Sequence, residues 1–315
     1  QKNLKINKLS KKIQNKIILL FGPTASGKSK LAIDIATKFN GEILNADSMQ
    51  VYKEIKILSA RPEKSKIKHH FYGFISAKKS FSVGEWYKLV AKKIKQIKKR
   101  KKVPIVVGGT GLYFRALTEG LVEIPKVEKK DFSYLNPMGR WMMGNHYYKK
   151  NPTIFEGIDR NDIQRVSRAI SVYEGTGLTL KEWQNKDNKK YFKAKDFVRL
   201  CLTPPKNDLE KKIKNRFDLM LKTGALNEVQ KYRKTFVEPA TYISANSIIG
   251  IYEIGLYQQK KIGIKDLKDR VLVRTRQYAK RQYTWQRGQM KDWKQFNDTN
   301  YLDLRKKILS YLSKT

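Results

Sequence analysis

The chain has 315 residues, 40% of them hydrophobic, which is enough for one large domain with a buried core. It contains no apolar run of roughly 18 residues and no secretory h-region near its start, so neither a membrane span nor secretion is expected. The single cysteine, Cys201, excludes an internal disulfide and a cysteine-based zinc site. We interpret it as a small buried strand residue, and a reducing cytoplasm fits.

The net charge is the strongest compositional signal. Lys and Arg total 68 against 28 Asp and Glu, a formal charge of +40. Such a field attracts polyanions such as nucleic acid. A genome biased toward lysine codons would produce part of the same excess, and both causes stay open.

From Lys16 onward, strands alternate with helices. "KIILLF", "EILNA", "VPIVV" and "FVRLCLTPP" are typical of buried strands, and "KSKLAIDIATKF" and the segment from Val83 to Lys99 have helical periodicity. This alternation predicts a parallel α/β sheet flanked by helices. Further helices are expected at "LEKKIKNRFDLMLKTG", at "SANSIIGIYEIGLY" and from about Leu267 to Met290.

The alternation breaks down after Val122. A helix returns at "NDIQRVSRAISVYEG", with Asn161 or Asp162 as its cap and Gly175 as its end. We therefore predict an α/β core of residues 1–121 and 196–315, interrupted by a small helical insertion at 122–195.

The stretch "GPTASGKS" has the full P-loop spacing between a strand and a helix. Its glycines let backbone N–H groups face phosphate oxygens, Lys28 reaches those oxygens, and the Ser29 hydroxyl can hold Mg²⁺. The motif indicates bound phosphates and not what carries them. The candidate phosphate-binding residues are Gly22, Pro23, Thr24, Ala25, Ser26, Gly27, Lys28 and Ser29.

Two further loops follow strands and belong at the same edge of the sheet. "ADSMQVY" places Asp47 after the second strand, and "GGTGLYF" places Thr110 after "VPIVV". Ligands of open α/β sheets bind beyond the carboxyl ends of the strands. Asp47 is therefore either a general base or the cap of a turn.

Two helices carry basic faces. Gln164, Arg165 and Arg168 share one side of the insertion helix, which either grips phosphates or is a solvated face. In "TRQYAKRQYTWQR", basic and aromatic residues interleave. This pattern suits the binding of RNA phosphates and stacked bases, but it also suits a surface helix whose Tyr and Trp side chains pack into the core. Its basic positions include Arg276, Lys280 and Arg281.

Together, "GPTASGKS", "ADSMQVYKEI", "PIVVGGTGLYFRALTEGL", "NDIQRVSRAISVYEGTG" and "TRQYAKRQYTWQR" closely resemble, in this order, the bacterial type of the tRNA dimethylallyltransferase family, over about residues 17–289. The resemblance implies a P-loop NTPase-like core with a helical insertion that contacts tRNA. It implies transfer of a dimethylallyl group from dimethylallyl diphosphate to N6 of the adenosine 3′ to the anticodon, in tRNAs reading U-starting codons. Diphosphate release and a need for Mg²⁺ are also implied, and we expect a monomer.

The resemblance also assigns roles to residues. It implies that Asp47 is the base, that Thr110 and Lys28 complete the catalytic set, and that the P-loop holds the donor diphosphate. The tRNA-binding residues would be Asp47, Ser48, Met49, Gln50, Gln164, Arg165, Val166, Ser167, Arg168 and Arg281.

The sequence departs from the family at two places. "MGRWMMGNHYY" does not align with the usual insertion, and Ser247 stands where many members have Arg or Gln. If that side chain binds diphosphate, Arg276 or Lys280 are the expected substitutes. Competing readings are a P-loop nucleoside or small-molecule kinase, a prenyltransferase acting on free adenine nucleotides, and a non-catalytic RNA-binding protein.

Overall fold

The structure is a computed structural model that describes residues 13–63, 65–130, 132, 134–235 and 244–315. Among these residues, no helix is both long and apolar enough to cross a membrane. The described chain divides into two compact units. One covers residues 13–118, 191–235 and 244–315, and the other covers residues 119–190, which overlap the predicted insertion.

The first unit is built on a six-stranded, fully parallel sheet, in the order β3-β2-β4-β1-β5-β6. The strands are β1 Ile17–Phe21, β2 Gly41–Asn45, β3 His69–His70, β4 Val103–Gly108, β5 Phe197–Leu202 and β6 Lys294–Phe296. This arrangement confirms the predicted parallel α/β fold. The two edge strands β3 and β6 were not predicted, because they are too short and polar to carry a strand signal.

Both units contain helices. They are α1 Lys28–Phe39, α2 Val83–Lys99, α3 Gly111–Glu119, α4 Pro137–Lys150, α5 Ile163–Thr176, α6 Leu180–Gln184, α7 Lys206–Lys222, α8 Ala225–Thr235, α9 Ile251–Gln258, α10 Ile264–Gln289 and α11 Tyr301–Lys314. The expected single helix at "SANSIIGIYEIGLY" is instead a 3₁₀ turn, Ser244–Ser247, followed by α9. Gly250 separates them with φ 106°, a left-handed conformation that interrupts the helix.

The core lies on both faces of the sheet. Every residue of β1, β2 and β4 is buried, as expected for strands covered by helices on both sides. Cys201 lies buried in β5, which confirms its interpretation, and burial raises the pKa of its thiol to about 12. The four central strands therefore hold their carboxyl ends at one edge of the sheet.

A charged cluster is buried in β2. The Glu42 side chain is only 1% exposed and accepts hydrogen bonds from His70 Nε2 (2.7 Å) and Arg100 Nη2 (2.8 Å). Burial opposes its ionisation, but the bonds and charges of His70 and Arg100 outweigh burial and hold the Glu42 pKa below its usual value. This carboxylate ties β2 to β3 and to the end of α2.

The second unit has its own small core around α4 and α5. The segment "MGRWMMGNHYY", which has no clear hydrophobic period, forms α4, whose N-terminus is capped by the Asn136 side chain accepting from Gly139 N–H (2.7 Å). Helix α5 starts after the Asp162 cap, one of the two expected. It ends at Gly177 rather than Gly175, because Gly177 takes the left-handed conformation that ends helices.

Candidate active site

The phosphate loop leaves β1 and ends at the first turn of α1. Gly27 precedes α1 with φ 83°, which turns the chain so that the helix N-terminus faces the loop. The Lys28 ammonium donates to the Pro23 carbonyl (3.1 Å). The buried Ser26 Oγ contacts no hydrogen-bond partner in the described residues, and this leaves a polar atom for a ligand.

Asp47 lies just beyond β2, where the Asn45 side chain organises the turn. Asn45 Oδ1 accepts from the Asp47 N–H (2.8 Å), and its amide donates to the Asp47 carbonyl (2.9 Å). Asp47 Oδ1 accepts from Met49 N–H (3.0 Å). The carboxylate thus caps its own turn, as one reading predicted, while it also lines the cavity described below.

The loop after β4 lies against the Asp47 loop because β2 and β4 are neighbours. Thr110 Oγ1 accepts from Ser48 N–H (3.0 Å), and Thr110 N–H donates to the Ala46 carbonyl (3.2 Å). The Thr110 hydroxyl in turn donates to Ser48 Oγ (3.3 Å). The acid, the hydroxyl and the phosphate loop therefore lie at one edge of the sheet, as predicted.

A cavity of about 730 Å³ opens over the phosphate loop. It is lined by residues 24–30, by Asp47 and its loop, and by parts of α7 and α10. Among the described lining residues, Asp47 alone is acidic, whereas six are basic: Lys28, Lys30, Lys212, Arg216, Arg274 and Arg281. This excess of positive charge suits a ligand with several negative charges.

Two basic side chains lie close to the phosphate loop. Arg216 Nη2 donates to Thr24 Oγ1 (2.8 Å). Burial lowers the pKa of Lys28 to about 8; Asp47 opposes this shift, whereas Arg216 adds to it. An anion bound beside Lys28 would favour its charged form and reverse the shift.

Arg276 and Lys280, expected at the phosphates, are exposed and lie outside the described cavity lining. Arg276 Nε is instead 3.5 Å from Glu210 Oε1. The cavity-facing side of α10 carries Arg274 and Arg281, with Gln277 and Tyr278 between them. Helical periodicity marks stripes along a helix, but it does not tell which stripe faces the cavity.

The Asp47 loop supplies two of the expected RNA-contacting residues to the cavity. Met49 and Gln50 both line it. The Gln50 amide also donates to the carbonyls of Ser59 (2.9 Å) and Ala60 (3.0 Å), so this side chain braces a neighbouring loop. Ser247, the position that departs from the family, lies in the lining together with Arg274 and Arg281.

The expected RNA-contacting segment of α5 splits into two faces. Gln164, Arg165 and Arg168 are exposed, as predicted. Val166 packs into the core of the second unit, and the buried Ser167 accepts from Phe132 N–H (3.3 Å). These two side chains hold the helix in place and do not face solvent.

Sequence reasoning missed three residues of the site, namely Arg216, Arg274 and Gln282. Arg216 lies in a helix with several other basic residues, and nothing in its local pattern distinguishes it from them. Gln282 is buried in α10 and bonds to both the phosphate loop and the loop after β4. The sequence did contain a signal for Gln282, because it is a polar residue on the largely apolar face of α10.

The fold and this site define an α/β enzyme of the P-loop type, with a cationic cavity that faces a carboxylate. A family model described as IPP transferase matches residues 50–289. A tRNA dimethylallyltransferase of Pelagibacter ubique (strain HTCC1062) is 44% identical over 287 residues, covering 89% of this chain and 91% of that protein. The one from Parvibaculum lavamentivorans is 37% identical over 305 residues, covering 94% and 95%. The chain belongs to the IPP transferase family.

Solved structures agree with this assignment. A structure of a eukaryotic dimethylallyltransferase acting on tRNA superposes with a TM-score of 0.76 at 29% identity, covering 94% of this chain and 77% of that one. A tRNA delta(2)-isopentenylpyrophosphate transferase from Staphylococcus epidermidis gives a TM-score of 0.66 at 30% identity, covering 95% and 99%.

Proposed function

We propose that this enzyme transfers a dimethylallyl group from dimethylallyl diphosphate to N6 of the adenosine 3′ to the anticodon, in tRNAs reading U-starting codons. The observation that carries the proposal is the cavity, where a P-loop and six basic side chains face the Asp47 carboxylate. In the proposed reaction the phosphate loop and the basic side chains hold a diphosphate, and Asp47 accepts a proton. The net charge of +40 favours a polyanionic acceptor over a free nucleotide.

The reaction chemistry gives separate roles to the phosphate-binding residues and to Asp47. The adenine amino group is a weak nucleophile, because its lone pair is delocalised into the ring. In the proposed step, the bond from N6 to the allylic carbon forms while the bond from that carbon to the diphosphate oxygen breaks. Asp47 accepts the N6 proton, and diphosphate leaves with the bonding electron pair. Positive charge from Lys28 and Arg216 stabilises the leaving group, and Thr110 holds the Asp47 loop through Ser48.

We further propose that Mg²⁺ binds together with the diphosphate, held by the Ser29 hydroxyl. No cluster of three or more His, Cys, Asp or Glu occurs in the part of the chain that the structure describes, so a metal ion would take most of its ligands from phosphate and water. Ser29 is the second residue of α1 and lines the cavity, which fits such a role. When bound, the ion neutralises charge on the diphosphate.

Donor contacts would come from the loop residues 22–29 and, in place of Arg276 and Lys280, from Arg274 of α10. Arg274 shares the cavity lining with Ser247, where the family side chain is missing. Its Nη1 lies 2.5 Å from Glu253 Oε1, which holds it in place. Arg281 would contact either the diphosphate or the RNA backbone.

For the tRNA, we propose contacts with the Asp47 loop, with the exposed face of α5 and with α4. Helix α4 contains no acidic residue and exposes Met138, Trp141 and Met142, each more than 60% exposed. Basic residues beside exposed aromatic rings suit single-stranded RNA bases. The target adenine must leave its stack to enter the cavity. We also propose that the enzyme acts as a monomer in the cytoplasm.

The test is to incubate the protein with unmodified tRNA, dimethylallyl diphosphate labelled in the allyl group, and Mg²⁺. One parallel reaction contains free AMP in place of tRNA, and another contains γ-labelled ATP in place of the labelled donor. We expect the allyl label on N6 of one adenosine next to the anticodon. Transfer of the ATP label would support the kinase reading, and label on free AMP but not on tRNA would support the nucleotide prenyltransferase. Absence of allyl transfer to RNA would refute the proposal.

A further inference from the structure

One face of α10 contacts both loops that carry the chemistry. Tyr278, Gln282 and Trp285 follow one another at a spacing that places them on one side of a helix. Tyr278 lines the cavity, and the indole of Trp285 lies where a side chain on Gly111 would be. Gln282, between them, is only 4% exposed.

The Gln282 amide joins the two loops directly. Its Oε1 accepts from Thr24 N–H of the phosphate loop (2.8 Å), and its Nε2 donates to the Gly109 carbonyl of the loop after β4 (3.0 Å). The oxygen and nitrogen of one planar amide are thus committed to two different loops. Because the amide is rigid, it fixes the spacing between the backbone of these loops.

The fit around this amide is close. A Cβ at Gly109 would lie 2.1 Å from Gln282 Nε2, so glycine is needed there for the amide to approach. Gln282 is not among the described residues that line the cavity, so its role in this arrangement is through the two loops. Thr110 follows Gly109 and holds Ser48 beside Asp47, which continues the connection to the base.

We infer that Gln282 is a positioning residue that sets the distance between the donor diphosphate and the group accepting the proton. This inference rests on the proposed function, in which the phosphate loop holds the donor and the Asp47 loop holds the acceptor. Without the amide, each loop keeps its own ligand contacts, but the reacting atoms lose their alignment. A misplacement of about 1 Å in such an arrangement costs roughly 100-fold in rate.

Two variants test this inference, Gln282→Met and Gln282→Glu. Gln282→Met keeps the shape and removes both hydrogen bonds. We expect its kcat for tRNA prenylation to fall about 100-fold, while the affinity for inorganic diphosphate with Mg²⁺ stays within about threefold of the unmodified protein. Gln289→Glu, on the exposed end of the same helix, is the matched control and should change neither.

Gln282→Glu gives an independent readout through pH. Its carboxylate still accepts from Thr24 N–H, but it donates to the Gly109 carbonyl only when protonated. We expect its kcat, relative to that of the unmodified protein in the same buffer, to rise as the pH falls from 8 to 6. A merely structural role would not produce this recovery.

The outcomes separate the two proposals. If the unmodified protein transfers no allyl group to tRNA, the proposed function fails. If it does, the positioning role is overturned by a Gln282→Met variant with normal kcat, or by one whose diphosphate affinity falls as far as its kcat. Should that variant not fold, a flat relative pH profile for Gln282→Glu overturns the inference.

Discussion

Replacing Asp47 with asparagine tests the centre of the proposed mechanism. The variant keeps an oxygen that accepts from Met49 N–H, a bond of 3.0 Å in the structure, so the turn after β2 should be preserved. What disappears is the negative charge and the capacity to accept the N6 proton. Because Asp47 is the one acidic side chain among the described residues of the cavity lining, no neighbour there can replace it.

The size of the effect follows from this geometry. Positioned general bases contribute roughly 100- to 10,000-fold in rate, which corresponds to about 3–5 kcal/mol of activation free energy. We expect kcat to fall within this range in Asp47→Asn. tRNA affinity should stay nearly unchanged, both in this variant and in Asp47→Ala, because six basic residues still line the cavity.

The assay is single-turnover transfer of labelled dimethylallyl to tRNA, with tRNA affinity measured separately by filter binding. Asp34→Asn is the matched control, since Asp34 lies on α1, outside the described lining, and pairs with Arg305 (2.9 Å). A rate for Asp47→Asn within about threefold of the unmodified protein would remove Asp47 from the chemistry.

Three further predictions concern binding and stability. Because Lys28 loses its proton with a pKa of about 8 in the free site, donor affinity should weaken as the pH rises through that value. In Lys28→Arg, calorimetry should find no loss of donor affinity as the pH rises through 8. A loss that persists in this variant would contradict the assignment. Glu42→Gln should lower the free energy of unfolding by roughly 3 kcal/mol in urea titrations, because it breaks a buried cluster; a loss under about 1 kcal/mol would mean that the cluster contributes little. Trp141→Ala should weaken tRNA binding by about 1–3 kcal/mol in filter binding and leave donor affinity unchanged; an equal loss in the control Leu219→Ala, another exposed apolar residue, would count against stacking.

Local patterns were sufficient for the central part of the fold. The strands around the phosphate loop are predominantly apolar runs bounded by turn residues, and each is present in the structure. β3 and β6 were missed because they have only two and three residues. Such short strands form by pairing with a neighbouring strand, and the local sequence pattern carries no information about that pairing. Helix α4 was missed because most of its large apolar residues are exposed and few of them pack in the core, so it lacks the periodicity that core packing imposes.

The candidate site could be predicted where a motif fixes backbone geometry. Lys28 and Asp47 lie in loops at strand ends, and parallel pairing brings such loops together. Arg276 and Lys280 illustrate the limit, because the face of α10 that meets the cavity depends on how α7 packs against it. Arg216 lies 192 residues from its partner Thr24, a separation at which sequence patterns give no information.

The same separations affect how the protein folds during synthesis. Thr24 and Gln282 are 258 residues apart, and Asp34 meets Tyr301 at a separation of 267. The phosphate loop therefore emerges from the ribosome long before the helix that braces it and before β5, the strand that covers one side of β1. During that interval β1 has an open edge, which is a site for aggregation. We expect the chain to gain donor binding only at the end of synthesis, and to depend on chaperones until α10 is complete.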